Sequence, residues 1–178
     1  AYFAAPVQGV ADTAVYVRQY KHHRWQLEKY QIRGYELQAF QDTKRYWEHI
    51  ELHARRLNFF ALKKWLTCTV LICEDLARQE PAARLVRSVG PNLVVALLLD
   101  GEQIEKRWPA RYAAVLAGDP GSSVLSITSL GMARLNPKAS KAKTSIALWR
   151  DSEGIWPVEM PRNAKGMVLS LQRDKLDE

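Results

Sequence analysis

The stretch that decides the fold is residues 70–81, VLICEDLARQEP. Its apolar run stops at Cys73 and meets Glu74 and Asp75 at once. Read back to Trp65, WLTCTVLIC is nearly continuous apolar sequence, the pattern of a strand covered on both faces. Pro81 is placed to open a helix, and PAARLVRSVG closes at Gly90. A strand that ends on a thiol just before a helix leaves two readings of Cys73. One is a buried, inert thiol at the edge of a core. The other is a nucleophile, because α/β folds carry reacting groups at strand ends and in the loops that follow. In the second case the thiolate would gain from the helix N-terminus and a nearby cation, which predicts a depressed pKa.

Working outward, NLVVALLLD (92–100) reads as a second buried strand and SSVLSITSL (122–130) as a third. EQIEKRWPARYAAVLAG (102–118) between them predicts a helix ending at Gly118, with Pro109 a kink or restart. AVYVRQY (14–20) alternates as a strand does. TKRYWEHIELHARRL (43–57) fits a helix with Tyr46, Ile50 and Leu57 on one side. ASKAKTS (139–145) reads as a basic loop. SIALWRD (145–151) and GMVLSLQRD (166–174) read as a closing strand pair around a turn-rich segment. Strand and helix alternate from 65 to 130, which predicts an α/β fold with one domain over 1–178.

Composition agrees. The chain has 178 residues, 47% of them hydrophobic and 25% charged, enough for one domain with a core. There is no run of about 18 apolar residues, so no membrane span is expected. The apolar start is broken by Pro6, Gly9 and Asp12 and lacks a basic flank, so it does not read as a signal peptide. A cytoplasmic location is the expectation. Cys68 and Cys73 form no disulfide framework; their odd spacing along one extended run sends them to opposite faces, so both should be free thiols.

The formal net charge is +7 and the pI about 9.5. The excess is spread over Lys21–Arg24, Lys44–Arg45, Arg55–Arg56, Lys63–Lys64 and Lys138–Lys143. Such a balance permits contact with nucleic acid, but a diffuse distribution also describes a plain solvated surface. No metal is expected. His22 and His23 lack a further ligand set, and His49 and His53, at helical spacing, lack an HExxH pattern. GDPGSS (118–123) lacks the ending of a P-loop and reads as a turn. Ser122, Ser123, Ser126 and Ser129 lack a G-x-S-x-G elbow.

KHH (21–23), Glu28 with Tyr30 and Gly34, LICEDL (71–76) and RWPARYA (107–113) together resemble the nitrilase, or carbon–nitrogen hydrolase, superfamily. Lys21 and His23 match its K-x-H motif, and Cys73 and Asp75 its C-x-D motif. The resemblance runs over essentially the whole chain. It implies an α-β-β-α sandwich, self-association into a homo-oligomer and no cofactor. It also implies hydrolysis of a nitrile or amide through a thioimidate or thioester on Cys73, with Lys21 stabilising the oxyanion. Glu28 is the candidate for the family's second glutamate. His23, Glu74, Asp75 and Arg111 are supporting candidates.

The chain departs from the pattern in three places. The family's general-base glutamate precedes the lysine, and residues 1–20 contain no Glu, so an N-terminal part of the domain is expected to lie upstream of Ala1. RYAAV (111–115) stands where the family often has R-A-x-E-N. Residues 35–64 are longer and more basic than a compact link and read as an insertion, suited to a partner surface. The basic balance and RWPARYAAVLAGDPGSSVLSITSLGM also resemble nitrilase-like domains fused to bacterial antiviral reverse transcriptases, which implies an upstream polymerase. A non-catalytic scaffold or regulatory module of such a nucleic-acid enzyme is the alternative to the hydrolase.

Overall fold

A computed structural model of the chain describes residues 2–6, 14–135 and 144–172. Its centre is a six-stranded sheet of β5 (Phe59–Lys63), β6 (Leu66–Ile72), β7 (Leu93–Leu97), β8 (Ser123–Ile127), β9 (Ser145–Arg150) and β10 (Ile155–Glu159). They are ordered β10-β9-β8-β7-β6-β5. The three apolar runs become β6, β7 and β8, the only parallel strands in this sheet. The long crossovers that parallel pairing demands are α2 (Arg84–Val89) and α3 (Trp108–Gly118). This is a mixed α/β architecture.

Two smaller pairs precede the sheet. β1 (Tyr2–Pro6) pairs with β2 (Ala14–Arg18), and β3 (Gln26–Leu27) with β4 (Tyr46–Trp47). Two short helices complete the set, α1 (Lys29–Gly34) and α4 (Leu130–Arg134).

The sheet has two unlike faces. On one, Leu71, Val94, Ala96 and Val124 pack under Val86 of α2 and Ala113 and Leu116 of α3. A fully buried Leu such as Leu71 or Leu116 contributes roughly 1.5–3 kcal/mol. On the other, Cys68, Leu93, Leu125 and Ala147 are buried among the half-buried Leu66, Val95, Ile127, Trp149 and Val158. Helices cover only the first face among the described residues.

Several boundaries differ from the sequence reading. Residues 43–57 form no helix but β4 and one 3-10 turn, Leu52–Ala54. Three apolar residues on one side were too few to hold a helix there; Tyr46 pairs with Leu27 instead. The third helix starts at Trp108, not at residue 102, because Pro109 opens it rather than bending it. The third strand stops at Ile127, and Ser129 caps α4 by accepting from the Met132 N–H. The closing pair is β9 with β10, so the strand lies inside the segment read as turns. Pro157 lies within β10, an edge strand, where a missing N–H is tolerated. Residues 166–172 form no strand. α2 does end at Gly90, which takes the left-handed conformation at φ 64°. Most of the basic 139–145 loop lies outside the described residues.

Candidate active site

The register aligns the ends of the parallel strands, pairing Ile72 with Leu97 and Leu97 with Ile127. The chain leaves this row through Cys73, Leu98–Leu99 and Thr128–Ser129, and a cavity of about 480 Å³ opens there. Lys21, Trp25 and Glu48 line its other side. The walls are mainly apolar, with one thiol, one ammonium and one carboxylate converging, the usual make-up of a small-molecule site.

Cys73 does not continue the strand. Its φ is 51°, the left-handed region that costs a non-glycine residue of order 1–3 kcal/mol and persists only where surroundings impose it. The turn lifts the side chain out of the alternation of β6. Cys68 stays within that alternation and is 1% exposed. Both thiols are free.

Asp75 imposes the turn. Its carboxylate is 1% exposed and accepts hydrogen bonds from several backbone N–H groups. His22 N–H reaches both oxygens at 3.0 and 3.1 Å, and His23 N–H reaches Oδ1 at 2.8 Å. Ile72 N–H reaches Oδ2 at 3.4 Å. The His23 ring closes the set, with Nδ1 at 2.9 Å from Oδ1 and Nε2 at 3.0 Å from the Glu80 carbonyl oxygen. One buried carboxylate therefore ties the segment that carries Lys21 to the turn that carries Cys73. The neighbouring His22 is held below the usual histidine range, chiefly by burial against the pull of Asp75.

Lys21 forms an ion pair with Glu48. The two-residue ladder of β3 and β4 sets this contact. Glu48 N–H donates to the Trp25 carbonyl at 2.9 Å, and Trp25 N–H donates to Glu48 Oε2 at 3.1 Å. Glu48 lies in the stretch read as an insertion and was missed by sequence reasoning. Its signal was weak: a short strand of two aromatic residues, Tyr46 and Trp47, just before an acid.

Glu28 is elsewhere. It is the N-cap of α1, forms a capping box with Gln31 and pairs with Arg45 at 3.2 Å. The structure thus brings together Cys73, Lys21, Asp75 and His23, and sets Glu48 beside Lys21. Glu74 flanks the thiol and pairs with Arg78 at 2.6 Å. Arg111 is exposed on α3 and lines no part of the cavity.

The thiol of Cys73 is not depressed. Burial pushes it up, and the Leu99 backbone hydrogen bond and the Lys21 charge only partly offset this, while Glu48 and Glu74 add to the rise. The expected helix N-terminus does not help, because the 3-10 turn Cys73–Ala77 and the extended Arg78 and Glu80 separate Cys73 from the helical stretch that runs on into α2. Burial lifts Cys68 to about 11.

No group of three or more His, Cys, Asp or Glu side chains is arranged to hold a metal among the described residues. His49 and His53 are exposed outside any α-helix. No described helix is long and apolar enough to cross a membrane. No family model, curated protein or solved structure matches the chain.

Proposed function

We propose that the chain is a cysteine-dependent carbon–nitrogen hydrolase domain acting on amides or nitriles with an apolar acyl half. The observation that carries this reading is the left-handed Cys73 at the end of β6, opening into the cavity that Lys21 and Glu48 share. In the first step Sγ attacks the carbonyl or nitrile carbon. The Lys21 ammonium stabilises the charge that develops on oxygen or nitrogen. The resting thiol is neutral, so its proton must leave as the bond forms. Glu48, the acid in that cavity, takes it and passes it to the substrate nitrogen. From an amide that nitrogen leaves as ammonia or the amine. From a nitrile it stays bound as a thioimidate, and a first water adds and expels it as ammonia to leave the same thioester. Water then attacks the thioester, the carboxylic acid leaves, and Sγ regains a proton. The α-β-β-α sandwich belongs to the same proposal. It is supported by the second, apolar face of the sheet, which a second sheet would cover.

The test is intact-protein mass spectrometry after mixing with a panel of small apolar primary amides and nitriles. A thioester or thioimidate adduct on Cys73, labile to hydroxylamine and absent in Cys73→Ala, is the expected result. Turnover that survives Cys73→Ala would sink the assignment.

The upward shift of the thiol favours a second reading, a non-catalytic module serving a larger nucleic-acid enzyme. Under it no adduct forms with any amide or nitrile. Homo-oligomerisation, an upstream polymerase and a cytoplasmic location go with these readings as proposals.

A further inference from the structure

The positive charge reads as diffuse along the sequence, but the fold does not share it evenly. Residues 18–64 hold eleven Lys and Arg against five Asp and Glu. Residues 65–135 hold seven of each kind, and residues 144–172 three of each. The sheet from β6 onward and its helices are therefore electrically balanced among the described residues, and the excess sits on the segment that leads into them. A field concentrated in this way attracts polyanions.

Within that segment the β3–β4 pair has two faces. Register sets Gln26 opposite Trp47 and Leu27 opposite Tyr46, and side chains alternate along each strand. On the inner face Leu27 is buried, and the flanking Trp25 and Glu48 line the Cys73 cavity. On the outer face Trp47 is 60% exposed. Arg24 Cζ lies 6.0 Å from the centroid of its ring, a cation–π contact. Arg24 meets no carboxylate among the described residues. Arg45, two residues before Trp47, meets Glu28 through Nε at 3.2 Å, yet its side chain is 64% exposed. Lys44 beside it is exposed too. The inner face accounts for the part this pair plays in the cavity. Nothing there requires an indole with a stacked guanidinium on the outer side.

We infer that this outer face binds single-stranded nucleic acid, with Trp47 stacking a base and Arg24, Lys44 and Arg45 meeting phosphates. Of the common polyanions, a single strand uses both parts. A duplex keeps its base faces stacked inside the helix and offers chiefly phosphates. An acidic polypeptide uses the cations and leaves the indole idle. A base laid on an exposed aromatic ring gains by stacking, and every base has such a face, so the site reads little sequence. The inference needs neither the thiol chemistry nor a polymerase, and it stands apart from both readings above.

The experiment is fluorescence anisotropy of the full chain with fluorescein-labelled oligothymidylate of about 16 nucleotides, the upper end of such sites. Titrations run over a series of salt concentrations, with a DNA duplex of the same length and polyglutamate as competitors. Saturable binding is expected, with both competitors weaker than unlabelled oligothymidylate. Trp47→Ala should weaken binding about ten-fold at unchanged salt slope, and Trp47→Tyr, which keeps a ring, should restore most of the loss. Arg24→Gln should lower the slope of log K against log salt by about 0.7, the share of one phosphate on a single strand. Circular dichroism checks the fold. If Trp47→Ala does not fold, Arg24→Gln, at an exposed position, carries the test. Four results overturn the site: no saturable binding, a competitor as good as the single strand, an unchanged Kd in folded Trp47→Ala, or an unchanged slope in Arg24→Gln. Cys73 takes no part, so this result and the adduct test fail or succeed separately.

Discussion

Cys68 and Cys73 lie on one strand and its exit, yet they are different chemical objects. Cys68 sits in mid-strand against Leu93, Leu125 and Ala147, and burial alone sets its thiol. Cys73 is equally a neutral thiol, but its backbone is turned left-handed, it opens into a cavity, and an ammonium and a backbone N–H oppose its burial. The difference comes from the neighbours that Asp75 gathers around the second site. A thiol becomes a candidate for chemistry by where the chain ends its strand.

Three measurements break or sharpen that contrast. The largest effect belongs to Asp75. Asp75→Ala strands the N–H groups of His22 and His23 and should cost about 3–5 kcal/mol in urea unfolding. Asp75→Asn keeps acceptors and should cost clearly less. If alanine costs no more than asparagine, the carboxylate does not hold the Cys73 turn.

The second compares the thiols directly. Cys68→Ser buries a hydroxyl in an apolar cluster and should cost about 1–3 kcal/mol. Cys73→Ser, beside an open cavity, should stay within about 0.5 kcal/mol of the parent. Equal costs would mean that the two environments are alike.

The smallest effect is in the pH dependence. An unfolded thiol loses its proton near 9.0, and folded Cys68 near 11. Between these values the unfolded state has released the proton and the folded state has not, so stability falls as pH rises. The contribution of Cys68 is complete below 9.0 and lost above about 11. Denaturation midpoints across this window should fall less steeply in Cys68→Ala than in the parent. Parallel curves would contradict the assignment.

The parallel core was legible because its strands are nearly continuous apolar runs and α2 ends on Gly90. Cys73, Lys21, His23 and Asp75 were legible as short motifs. What could not be read was set by pairing between distant segments. Glu48 reaches Lys21 only because Tyr46 and Trp47 find Gln26 and Leu27. Glu28 looked like an acid in waiting, but local hydrogen bonds made it a helix cap. Pro109 was read as a kink or restart, but a proline's meaning depends on position, and here it opens the helix. The neutral state of Cys73 was hidden too, since burial and two acids outweigh a cation that the sequence alone shows.

The bonds from His22 and His23 to Asp75 span 53 and 52 residues of chain, and most are made by backbone N–H groups. Backbone donors are supplied by nearly any residue. Over evolutionary time the side chains around such a knot are free to drift and the intervening segment to change length. Lineages that share it could keep the Lys21 and Cys73 segments in register long after their sequences had stopped looking alike.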